Sequence, residues 1–103
     1  MKKGDIIKIS LDDLIYIVLS EENDEKINLF NIDYQVFRTL DKTEMKIKNL
    51  RKISYLKEQE FEMNDCMCRG WIVSINGYRA KVLVWLPEIK SYDLQEINFM
   101  SDF

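Results

Sequence analysis

The chain has no histidine, only two cysteines, one proline and three glycines in 103 residues, and each shortage removes a class of explanation. Without His, the usual general base is missing, and with it Ser-His and Cys-His nucleophile chemistry. Scarcity of Pro and Gly argues against linkers and low-complexity tracts. No apolar run is long enough to span a bilayer, and at the start Asp5 and Lys8 interrupt the run that a signal peptide needs. Positive charge is in deficit, with 15 Lys and Arg against 18 Asp and Glu for a net charge of -3, which disfavours a partner that presents many phosphates. The only cysteines, Cys66 and Cys68, are too close in sequence to found a disulfide framework, so a reducing, cytoplasmic compartment is expected.

What is present fits a globular domain. Hydrophobic residues at 47% and charged residues at 32% exclude a disordered chain, and the length allows a core without disulfides or structural metal. The expectation is one compact unit over 1–103, with sub-barrels over 1–60 and 66–103 as its finer division.

The strongest local signal is Gly70 to Leu86, where Asn76-Gly77 separates two segments rich in Val, Ile and aromatic residues. Asn-Gly suits both positive-φ positions of a type I′ hairpin turn. That turn sets Ile75 opposite Tyr78, Val73 opposite Ala80 and Trp71 opposite Val82. One face then carries Trp71, Val73, Ile75, Tyr78, Ala80, Val82, Val84 and Leu86; the other carries Ile72, Ser74, Arg79, Lys81, Leu83 and Trp85. Upstream, strands are expected at Asp5 to Ser10, Leu14 to Leu19, Ile27 to Ile32 and Tyr34 to Thr39. A terminal strand is expected around Leu94 to Phe99, after a loop that starts at Pro87. Lys42 to Met63 reads two ways: its composition suits a helix, whereas Met45 to Lys48 and Ile53 to Tyr55 alternate as strands do.

Gly4-Asp5-Ile6-Ile7-Lys8-Ile9 echoes Gly70-Trp71-Ile72-Val73-Ser74-Ile75, and Asn49-Leu50-Arg51-Lys52-Ile53 echoes Asp93-Leu94-Gln95-Glu96-Ile97. These openings and closings, with a β meander between, resemble the small SH3-like barrels of the KOW and Tudor type over about two-thirds of the chain. The glycine that KOW sequences place after the first turn is missing, and no complete aromatic cage is legible. The resemblance implies a docking module for proteins or nucleic acids. The fold class is therefore mainly β, as one SH3-like barrel or two in tandem, with room for one middle helix; the alternative is a single OB-like barrel.

Candidate chemistry is thin. Cys66-x-Cys68 places two thiols on one side of a strand, yet zinc wants four ligands and this chain offers no His and no third Cys, so no metal or other cofactor is expected. Asp12-Asp13 and the group Glu21, Glu22, Asp24 and Glu25 are the densest acidic spots, but they read as solvated turns without calcium-loop spacing. Between Lys42 and Lys57 the six cations, including Lys48, Arg51 and Lys52, face only Glu44; they form either a wet outer face or a phosphate-binding stripe.

Trp85, Leu83 and Ile72, all on the second hairpin face, require cover. Either the sheet is buried on both sides, or Trp85 anchors a docking patch with Arg79 and Lys81 on its rim. The resulting expectation is a non-enzymatic protein-binding module, for instance an accessory or inhibitory protein of a phage or mobile element. A nucleic-acid-binding barrel that uses the Lys42 to Lys57 stretch is the alternative, and a homodimer is a further way to cover the patch.

Overall fold

The structure is a computed structural model that describes residues 2–9, 14–20, 25–41, 50–63 and 66–98. The protein is mainly β, with nine strands in two antiparallel sheets and no helix among the described residues. None of these residues forms a helix long and apolar enough to cross a membrane. The chain divides into two compact units, 1–56 and 57–103.

The first unit contains β1 (Asp5–Ile9), β2 (Leu14–Val18), β3 (Lys26–Asn31), β4 (Val36–Asp41) and β5 (Leu50–Tyr55), in the order β4-β3-β2-β1-β5. Alternation along these strands turns Ile7, Ile9, Tyr16, Val18, Ile27, Leu29 and Leu40 into one buried cluster, against which Leu14 and Leu50 pack. The turn that feeds β1 is closed by the Asp5 N–H donating to the Lys2 carbonyl at 3.1 Å, and Gly4 takes the φ of 88° that a type II turn needs at its third position. Asp5 is buried there. Its carboxylate accepts the Lys2 N–H at 2.8 Å and pairs with Lys52 Nζ at 3.2 Å. Burial pushes the Asp5 carboxyl up, but the Lys2 hydrogen bond and the Lys52 ammonium outweigh it and hold the group below the ordinary Asp value.

The second unit is a plain meander of β6 (Gln59–Met63), β7 (Cys66–Asn76), β8 (Arg79–Leu86) and β9 (Ser91–Asn98), in the order β6-β7-β8-β9. The Asn-Gly hairpin forms, with a different turn and a different register. Asn76 pairs with Arg79, so the loop is Gly77-Tyr78, and of these two only Gly77 has positive φ, at 63°. That is the type II′ pattern, with glycine first, rather than type I′. Pairing then shifts between Ile72 and Ser74: Ile75 faces Ala80, whereas Ile72 faces Val82 and Trp71 faces Leu83. Val73 is the extra residue of a β-bulge, and beyond it every side chain of β7 changes face.

The bulge corrects the expected faces. Trp71 leaves the Val82 side and joins Leu83 and Trp85; Ile72 moves the other way, to the cluster of Phe61, Cys68, Val82 and Val84. Ile53 to Tyr55 do form a strand. A helix over the described part of 42–63 is overturned by β5 and β6, while 42–49 lie outside the described residues. The glycines behind the internal echo occupy unlike places, Gly4 in a turn ahead of β1 and Gly70 inside β7.

Candidate functional site

Strand β8 is regular, so Arg79, Lys81, Leu83 and Trp85 share one face as alternation requires. β9 sets Glu96 opposite Lys81, Leu94 opposite Leu83 and Tyr92 opposite Trp85. Across β7 the bulge contributes Trp71, opposite Leu83. The β8–β9 loop, Pro87 to Lys90, closes with Lys90 at a φ of 52°, and this tight connection brings Tyr92 beside Trp85.

The result is a row of three rings. The Tyr92 centroid lies 5.4 Å from that of Trp71, tilted by 33°, and 5.2 Å from that of Trp85 in an edge-to-face arrangement at 69°. Contacts of this geometry contribute about 0.5–1.5 kcal/mol each beyond the area they bury. Exposure rises along the row: Trp71 is fully buried, Tyr92 half-buried, and Trp85 exposed at 37%. Arg79 lies on the same face, exposed, with Nη1 3.4 Å from a Glu96 carboxylate oxygen, and Lys81 is half-buried between Arg79 and Leu83. A partly exposed indole at one end of a face and two cations at the other combine an interface anchor with a polar rim.

The residues singled out in the sequence are thus only partly brought together. Trp85, Arg79 and Lys81 share the face. Leu83 lies on it but is completely buried and unavailable to a partner, and Ile72 lies on the opposite face. Arg51 is exposed on β5, Lys52 is engaged by Asp5, and Lys48 lies outside the described residues. So do Asp12, Asp13, Glu21, Glu22 and Asp24; Glu25 is exposed. Sequence reasoning misses Tyr92 and Trp71. Alternation from Leu94 back to Tyr92 is the signal for the first, and nothing in Val73-Ser74 announces the bulge that delivers the second.

Among the described residues no three His, Cys, Asp or Glu side chains are grouped to hold a metal ion. Compared with protein-family models, curated proteins and solved structures, the chain gives no significant match, so its own geometry carries the functional reading.

Proposed function

We propose that the protein is a non-enzymatic protein-binding module whose contact surface is the Trp85, Tyr92, Arg79 and Lys81 face of the second unit. The observation that carries this is the partly exposed indole of Trp85, held edge-to-face against Tyr92 at one end of a strand face whose other end carries Lys81 and Arg79. A rigid aromatic group already held in place loses little conformational entropy on binding, which is why such groups anchor interfaces. The partner that fits is a protein segment offering an apolar side chain to Trp85 and carboxylates to Arg79 and Lys81. A role as an accessory or inhibitory protein of a phage or mobile element suits a chain with no legible catalytic group. The order β4-β3-β2-β1-β5, with the first strand between the second and the fifth, supports an SH3-like barrel of the KOW or Tudor kind for the first unit.

The test is parallel capture from native host lysate on wild-type, Trp85→Ala and Arg79→Glu baits after nuclease treatment. A protein retained by wild type and lost from both variants is expected, with folding of the variants checked by thermal melts. The same proteins on all three baits would reject this face. Binding through phosphates would instead show as a nuclease-sensitive complex that weakens steeply with salt. Light scattering on the eluted chain separates a foreign partner from a second copy of the protein.

A further inference from the structure

The opposite face of the second sheet carries both thiols. β7 opens Cys66-Met67-Cys68, so alternation turns the two cysteines to one side and Met67 to the other. In the β6–β7 register Met63 stands directly opposite Cys66, and Phe61 opposite Cys68. Three sulfur-bearing side chains therefore share the end of one hairpin face, and all three line a single pocket of about 190 Å³, which has Leu86 and Pro87 as apolar walls and Glu88 as an acidic one. Cys66 is exposed and Cys68 buried, so the sulfur cluster has an open end and a closed end.

Two features define what such a pocket takes. Residues two apart on a strand are separated by about 6.6 Å, whereas a disulfide needs Cβ atoms within about 4.5 Å; the thiols cannot bond to each other without breaking the strand, but both can reach an ion between them. The three sulfur donors are soft, and Glu88 and Gln95 are the oxygen-bearing side chains on the lining. Calcium and magnesium require oxygen ligands, and zinc requires four donors, whereas a soft monovalent cation is satisfied by two or three sulfurs.

We propose that Cys66 Sγ, Cys68 Sγ and Met63 Sδ together bind one monovalent thiophilic cation, Cu(I) or Ag(I). The two thiols release their protons to solvent as they become ligands, so affinity falls as pH is lowered. Glu88 adds negative charge to the pocket that attracts the cation.

The experiment is an anaerobic titration of the full chain with Cu(I) held by bicinchoninate. One equivalent per chain should leave the chelator. Cys66→Ser should weaken binding by about 100-fold and the volume-conserving Met63→Leu by about tenfold, with near-UV circular dichroism unchanged in both. Cys66 is exposed, so its replacement spares the core even where Cys68→Ser would not. Failure to draw Cu(I) from the chelator, an affinity untouched by Met63→Leu, or the same affinity in the urea-unfolded chain would each overturn the site, because a folded three-sulfur pocket predicts none of them.

Discussion

Asp5 shows how one side chain ties sequence to stability. Its carboxylate is buried at the head of β1, yet it is held ionised by the Lys2 N–H and by Lys52 across the β1–β5 pair. Because its folded value lies below the unfolded one, the stabilisation is complete above the unfolded value of about 3.9 and is lost as pH falls through the lower, folded value. Asp5→Asn should therefore lower stability near neutrality by about 1–3 kcal/mol and flatten the acid limb of a urea-midpoint profile; an unchanged limb would show that the pairing does not form. Tyr92 offers a second contrast, since it packs against both indoles and is half-buried whereas Trp85 is partly in water. Tyr92→Ala should cost about 2–3 kcal/mol in urea unfolding and Trp85→Ala about 1 kcal/mol. At this scale the sequence is legible where the strand is regular. Arg79, Lys81 and Trp85 fall on one face by counting in twos, but Tyr92 escapes because the last strand is expected to begin only at Leu94.

Among the elements, the β7–β8 hairpin depends on two glycines for different reasons. Gly77 supplies the positive φ of the turn, and nothing crowds the place its Cβ would occupy. At Gly70 a Cβ would fall inside the envelope of the Leu83 carbonyl oxygen, a backbone atom that cannot swing away. Gly70→Ala should cost about 3 kcal/mol or more by melting, and Gly77→Ala about 1 kcal/mol. A reversed order would mean that the strands do not approach as described. Hairpin existence is legible from Asn76-Gly77, but the turn type is not, because a two-residue loop can be placed at Asn-Gly or at Gly-Tyr with the glycine second or first. The bulge is illegible for a related reason: Val73 and Ser74 suit a regular strand as well as a distorted one, and the choice is made by burying Trp71 with Leu83 rather than with Val82.

In the whole molecule, strand periodicity tells inside from outside within each segment but not which strands are neighbours, so an all-β chain is legible and a division near residue 60 is among its readings, whereas the strand order within each of the two sheets is not. That division predicts a pattern of amide exchange. β8, paired on both sides and carrying the fully buried Val82, Leu83 and Val84, should exchange slowest in its sheet, and β1, β2 and β3 slowest in theirs, whereas β4, β5, β6 and β9 lie at the margins and should exchange faster. Equal protection of β6 and β8 would contradict the strand order β6-β7-β8-β9. Val73 links these scales. Were β7 to pair in one unbroken register through Val73, its first half would turn over, sending Arg69 to the face where Cys68 now lies and handing the place of Trp71 to Ile72. The ring ladder on one side and the sulfur nest on the other would vanish together, so the two surfaces are inherited as one trait. Deleting Val73 leaves Ile72 opposite Val82 and Ser74 opposite Lys81 in one regular register, so both surfaces should survive the loss of that one codon.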